Sequence, residues 1–477
     1  HFTSEEIIKN GGQWGALEFI GGGSIDTLKY CVIEAAGCEI GYRNMWAIQA
    51  KDGAQLFMSH CSVRKIANVF DWQFSHGIDI EGSQLYLDHS VIQDIEGDGI
   101  FSSAFSRLVI KNSELKRAGG NGLNVIVGGD TWFKSIITDN RLSDNKGYGL
   151  RLQVGSGDGD QYPSINGNSF SDNGIRDFGF SGKIDTKAIW ATDTDILGNI
   201  DVHSGNTLTI LPGNTIRIIN PESYLNFSGN LKAIGTPSDN IVFTSDEEDK
   251  QGGQWRYINF IGNGSRDTLH YCIVEAAGSD YARGDEYGIL IDGGAQLLMG
   301  NCIVRKIAKV VNSSSYKSHG ILANGIGSKL DLDNVRIHEV EGDGIHSTSS
   351  QLNIRYCEIS DVGGDGLDIT NVGDSGFAST ITENRIHDNT EYGLRLYGGG
   401  GSNDFYPTFA DNLITENGIG PFAFSGFIRG NALWELDADL INNATLLTGS
   451  TLDIAAGVVN RTQTGNYGLQ IEGEMNA

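Results

Sequence analysis

The sequence predicts an all-β solenoid, in which short strands wind as stacked coils and no coil is stable alone. Three observations carry that reading. The chain contains itself twice. Inside each copy a shorter strand-and-turn theme recurs roughly every 23 to 27 residues. The 477 residues include 66 Gly and only 6 Pro, and no stretch sustains a helical period.

The duplication is read directly. Gly11-Gly12-Gln13-Trp14 returns as Gly252-Gly253-Gln254-Trp255. Tyr30-Cys31-Val32-Ile33-Glu34-Ala35-Ala36-Gly37 returns as Tyr271-Cys272-Ile273-Val274-Glu275-Ala276-Ala277-Gly278. Tyr148-Gly149-Leu150-Arg151-Leu152 returns as Tyr392-Gly393-Leu394-Arg395-Leu396. This divides the chain into two tandem modules, 1–241 and 242–477. The junction 206–245 alternates Leu, Ile and Phe with polar residues, so it too reads as coils, and one continuous solenoid is expected. Gly205-Asn206-Thr207-Leu208 matches Gly449-Ser450-Thr451-Leu452, and His1-Phe2-Thr3-Ser4 matches Val242-Phe243-Thr244-Ser245. The ends therefore fall in phase, as expected of a window on a longer tandem array.

The finer theme is a run such as Gln84-Leu85-Tyr86-Leu87-Asp88 or Arg107-Leu108-Val109-Ile110-Lys111, followed by a Gly-apolar signature. The signatures are Asp98-Gly99-Ile100, Asn121-Gly122-Leu123 and Tyr148-Gly149-Leu150 in the first module. The second has Asp343-Gly344-Ile345, Asp365-Gly366-Leu367 and Tyr392-Gly393-Leu394. Alternating Val, Ile and Leu broken by Gly, Asn and Asp read as strands between turns. A unit this short cannot bury its own apolar face and must stack on its neighbours.

This pattern resembles the right-handed parallel β-helix of pectate lyases, polygalacturonases and many bacterial surface proteins. The segment from Leu208 to Ser245 is similar to the junction of large secreted bacterial β-helix proteins. The resemblance implies a single-stranded right-handed parallel β-helix and a secreted or cell-surface setting. It says little of activity, because one scaffold hosts lyases, hydrolases, epimerases and passive fibres.

Charge narrows the partners. A formal net charge of −26 argues against nucleic acid, whose phosphates require clustered Lys and Arg. No run is long enough for a membrane span. The acidity suits saline or calcium-rich surroundings.

The cysteines are Cys31, Cys38, Cys61, Cys272, Cys302 and Cys357, none at a zinc spacing. Cys31 and Cys61 recur as Cys272 and Cys302. They are expected to lie one over the other in neighbouring coils, facing inward, as packed thiols or as inter-coil disulfides.

Stacking in register turns equivalent positions into surface columns. Before the signature Gly stand His76, Asp98, Asn121 and Tyr148, and in the second module His319, Asp343, Asp365 and Tyr392. Two residues after that Gly stand Asp79, Phe101, Asn124 and Arg151, then Leu322, His346, Asp368 and Arg395. The candidate catalytic set is therefore Asp343, Asp365, Asp368, His346, Arg395 and Tyr392. The carboxylates would act as acid and base, His346 as proton carrier, and Arg395 with Tyr392 would hold a sugar ring. His319, His76, Asp98, Tyr148 and Arg151 are candidates for substrate binding. Asp343, Asp365 and Asp368 are the candidates for calcium, the one cofactor the residues suggest. The residue types are similar to those of polygalacturonases, but Asn-Thr-Asp, Asp-Asp and Gly-His-Gly strings are missing. The competing reading is structural, since Asp, Asn and His beside a corner Gly often bond to backbone.

Trp14 and Trp255, and Trp190 and Trp434, recur as packing anchors, and Glu34 and Glu275 as turn residues. The Gly-rich segments 155–159 and 398–401 read as matching loops without a phosphate-binding pattern. Two functions follow. The first is an extracellular repeat protein with a structural, adhesive or glycan-binding role and self-association along its axis. The second is a secreted polysaccharide hydrolase or lyase with its groove on the second module.

Overall fold

The computed structural model describes residues 1–37, 45–67, 75–103, 105–129, 134–262, 264–278, 286–308, 318–371, 378–462 and 467–477. The described chain forms two compact units, His1–Ile200 and Asp201–Ala477. Neither unit has a helix among the described residues, so none there is long and apolar enough to cross a membrane.

In the first unit one coil is three short strands, as in Gln84–Asp88, Val91–Ile95 and Ile100–Ser102. The next is Arg107–Lys111, Glu114–Ala118 and Leu123–Val127. Each strand pairs in parallel with its counterpart in the next coil: Leu85 with Leu108, Ile92 with Leu115, Ile100 with Leu123. These six side chains are fully or almost fully buried. Period-two alternation points them inward, where like stacks on like at the strand spacing of about 4.8 Å. The second unit repeats the arrangement with Lys329–Asp333, Arg336–Val340 and Ile345–Thr348, followed by Gln351–Arg355, Glu358–Val362 and Leu367–Asn371. There Leu330 lies over Leu352, Ile337 over Ile359 and Ile345 over Leu367. The junction 206–245 is coiled in its turn, with strands such as Thr207–Ile210, Thr215–Ile218 and Asn230–Ile234.

Parallel coils leave corner backbone groups without ladder partners, and internal polar side chains satisfy them. In the first unit Cys61, Ser90 and Ser113 donate their backbone N–H to Ser90 Oγ, Ser113 Oγ and Asn140 Oδ1, at 3.0–3.2 Å. Asn140 N–H continues the ladder to Asn168 Oδ1 at 3.0 Å. The second unit has the same station: Cys272 N–H reaches Cys302 Sγ at 3.4 Å, Cys357 N–H reaches Asn384 Oδ1 at 2.9 Å, and Asn384 N–H reaches Asn412 Oδ1 at 3.1 Å. The cysteines are therefore rungs of a corner ladder.

The described cysteines are free thiols. Val32 pairs with Ser62 and Ile273 with Ile303, which puts Cys31 beside Cys61 and Cys272 beside Cys302. Cys61, Cys272, Cys302 and Cys357 are buried, but Cys31 is half-exposed, against the expectation that it faces inward. The Cys272 thiol is covered by the preceding coil and donates to the Ala233 carbonyl at 3.4 Å, whereas the Cys31 thiol donates to the Lys29 carbonyl of its own coil at 3.5 Å. Cys38 lies outside the described residues.

The recurring tryptophans anchor packing. Trp190 Nε1 donates to Tyr162 Oη and Trp434 Nε1 to Tyr406 Oη, both at 3.1 Å among buried rings. Trp14 and Trp255 cap the Glu34 and Glu275 carbonyls at 2.7 and 2.8 Å. Each Gly-rich loop is tied by an aspartate: Gly157 N–H meets Asp160, and Gly401 N–H meets Asp404.

Candidate functional site

The register aligns the second unit's columns. Leu322, His346, Asp368 and Arg395 are successive Cα partners on the strands Ser318–Asn324, Ile345–Thr348, Leu367–Asn371 and Tyr392–Gly398. The residues before the signature Gly run beside them.

That second column does structural work first. Asp343 N–H donates to His319 Nδ1 at 3.1 Å, Asp365 N–H to Asp343 Oδ1 at 2.8 Å, and Tyr392 N–H to Asp365 Oδ1 at 2.8 Å. The first unit repeats it: Asp98 N–H to His76 Nδ1 at 3.1 Å, Asn121 N–H to Asp98 Oδ1 at 2.6 Å, and Tyr148 N–H to Asn121 Oδ1 at 2.9 Å. One acceptor per coil holds the next coil's turn. The backbone bonding expected within a turn instead crosses from coil to coil.

The remaining carboxylate oxygens make the difference between units. Asp343 Oδ2 lies 3.1 Å from His319 Nδ1 and 3.4 Å from His346 Nδ1. Asp368 Oδ2 lies 3.2 Å from the same His346 nitrogen and 3.9 Å from Arg395 Nη1, which is also 3.7 Å from Asp365 Oδ2. In the first unit Phe101 stands at the place of His346 and stacks on His76 at 5.2 Å. Asn124 stands at the place of Asp368, donates to Asp98 Oδ2 at 2.9 Å and accepts from Arg151 at 3.2 Å. The first unit is a neutralised version of the same stack.

Crowding and burial set the charges. Burial disfavours the charged form of His346, but Asp343 and Asp368 overcome this and push the imidazole up to about 10. Burial likewise raises Asp343, yet His319, His346 and the Asp365 N–H hold its carboxyl well below the usual range. Burial pushes Asp365 up to about 7, with Asp343 and Asp368 adding repulsion against the Tyr392 N–H and Arg395. Burial, more than repulsion between the carboxylates, is its main cause.

Not every candidate reaches solvent. Asp365 is 1% exposed and Tyr392 5%. Tyr392 Oη donates to Asp439 at 3.1 Å, as Tyr148 Oη does to Asp195. Both rings are packed side chains, so the expectation that Tyr392 and Tyr148 face a sugar is corrected. The accessible groups are Arg395, His346 and, less so, Asp368. Asp343, Asp365 and Asp368 do not gather around one point, because His346 and Arg395 stand between them. Among the described residues the group whose donor atoms do converge is His319, Asp343 and His346, all within 4.8 Å of one another.

An aromatic extension escaped the sequence reading. Tyr287 is the Cα partner of His319. Its ring lies 4.9 Å from that of Tyr257, which lies 5.9 Å from Tyr224. The Arg256 guanidinium covers Tyr257 at 4.8 Å. The three rings are half-exposed and form a strip that runs on into His319. Tyr287-Gly288-Ile289 is itself a signature triplet and gave the available clue. Tyr224 and Tyr257 precede Leu225 and Ile258 without a Gly and left none.

No curated protein matches the sequence. Two segments, 4–135 and 258–434, match the family model described as the right handed beta helix region. The second contains the whole histidine and aspartate cluster. Parallel three-strand coils in both units and a match over most of the chain agree: the chain belongs to the right-handed β-helix family.

Proposed function

We propose that the second unit binds a polysaccharide or cell-surface glycan along the strip from Tyr224 to Arg395, and that the protein works outside the cell as a binding or adhesive repeat protein. The observation that carries this is the Tyr224, Tyr257 and Tyr287 stack, which leads in register into a polar cluster ending at an exposed arginine. Half-exposed tyrosines offer an apolar face and a polar edge, as sugars do. The charges of the cluster favour binding over turnover. A proton carrier near neutral pH needs a pKa near 7, and His346 is pushed up to about 10.

The second reading, a secreted hydrolase or lyase, has one observation in its favour. Asp365 is poised at about 7, and Asp368 lies beside it. Its burial would require it to act through Asp368 or Arg395.

A glycan array with the purified chain, Tyr257→Ala and Arg256→Ala tests the first reading. Binding should fall at least tenfold in both variants. Product release from the bound glycan, measured by reducing ends and by unsaturated uronate absorbance, separates the second. Turnover that Asp365→Asn abolishes would replace the binding reading with the enzymatic one.

A further inference from the structure

We infer that His319, Asp343 and His346, with Asp368 at their edge, form a binding site for a divalent transition-metal ion. The inference does not rest on the glycan reading.

The argument starts from the donors. Two imidazoles and carboxylate oxygens suit zinc and its neighbours better than calcium, which takes oxygen ligands. The spacing agrees. Zinc bonds of about 2.0–2.1 Å in a tetrahedron put neighbouring donors roughly 3.3 Å apart. Here His319 Nδ1 and His346 Nδ1 lie 3.1 and 3.4 Å from Asp343 Oδ2, and Asp368 Oδ2 lies 3.2 Å from His346 Nδ1.

A second observation comes from hydrogen bonding. His346 Nδ1 is shielded from solvent and has two carboxylate oxygens in range, yet it makes no hydrogen bond of acceptable geometry. A nitrogen placed for ligation but poorly aligned for proton donation fits a metal in the proton's place, and binding must release the proton that Asp343 and Asp368 favour on this imidazole. The cluster is also supported from behind. Asp343 is fixed through Oδ1 by the Asp365 N–H, leaving Oδ2 for the ion. One cost is visible: His319 Nδ1 accepts the Asp343 N–H, so ligation there must exchange that ladder bond.

The first unit supplies an internal control. It keeps His76 and Asp98, but has Phe101 for His346 and Asn124 for Asp368. With one imidazole and one carboxylate left, it should not hold the ion.

The test uses the whole chain with zinc and cobalt as probes. Equilibrium dialysis should leave one zinc bound per chain, and cobalt should give visible bands typical of tetrahedral nitrogen and oxygen ligation. His346→Phe and Asp368→Asn copy the first unit's residues, so the fold accommodates them, which circular dichroism checks. Each should lower zinc affinity at least tenfold and remove the cobalt bands. His60→Ala and His89→Ala, on the first unit's surface, should leave both signals intact. Equal zinc retention by the wild type and His346→Phe, or wild-type cobalt spectra without visible bands, would overturn the site. The readout is independent of glycan binding, so either idea can fail alone.

Discussion

Asp365 Oδ1 receives the backbone N–H of Tyr392 at 2.8 Å, and an asparagine, Asn121, does the same for Tyr148 at 2.9 Å. The bond needs an acceptor and not a charge. Asp365→Asn should therefore keep the fold, with unfolding free energy at pH 7 unchanged or raised. Asp365→Ala leaves a buried N–H without a partner and should cost about 1–3 kcal/mol. Urea denaturation of the two variants makes the comparison. Equal losses would show that the bond contributes nothing.

The same buried acids predict how stability depends on pH. Asp267 is 2% exposed, and burial pushes its carboxyl up to about 7 against the Ser265 and Leu231 bonds. A raised carboxyl stabilises the fold fully below the unfolded value near 4, and that contribution is lost as pH rises through about 7. Asp365 acts in the same direction. Asp343 acts oppositely, since its lowered carboxyl stabilises above about 4 and the gain is lost on acidification. His346, pushed up to about 10, adds to the raised pair above its unfolded value near 6.5, so between pH 5 and 8 the raised groups should dominate and denaturation midpoints should fall. Asp267→Asn keeps the acceptor for the Leu231 N–H, reverses the Ser265 bond so that Ser265 Oγ accepts from the amide, and should reduce that slope. An unchanged slope would mean that Asp267 ionises normally.

The fold was legible because a solenoid writes its period into the sequence. The register that pairs His346 with Asp368 and Asp368 with Arg395 follows from counting residues from each signature Gly. Its partners in three dimensions were less legible. The Asp343 side chain satisfies a backbone N–H 22 residues away, so no local turn pattern reveals it. Tyr392 and Tyr148 lie in the right columns, but the column does not say that each hydroxyl turns inward to an aspartate 47 residues on. The tyrosine strip was missed because two of its members precede no Gly.

The corner ladder makes residue-specific demands. Asn384 is 2% exposed, accepts the Cys357 N–H at 2.9 Å and donates to the Ile354 carbonyl at 3.0 Å. Asn384→Ala strands both groups and should cost about 2 kcal/mol or more. Cys302→Ser should cost about 1 kcal/mol or less, because Ser90 and Ser113 occupy the matching station in the first unit. Chemical denaturation resolves the difference, and a larger loss for Cys302→Ser would contradict the ladder.

Thiol reactivity gives an independent check on the coil register. Reactivity follows exposure and thiolate character. Burial pushes the Cys357 thiol up to about 12. Cys302 and burial together raise Cys272, and burial raises Cys61. Cys31 alone among the described cysteines is half-exposed. Brief treatment of the native chain with iodoacetamide at pH 8, followed by peptide mapping, should label Cys31 and leave Cys61, Cys272, Cys302 and Cys357 unmodified. All four should label in urea. Native labelling of Cys272 at a rate like that of Cys31 would mean that the coil carrying Ala233 does not cover it, and the stacking of those two coils within the second unit would have to be redrawn.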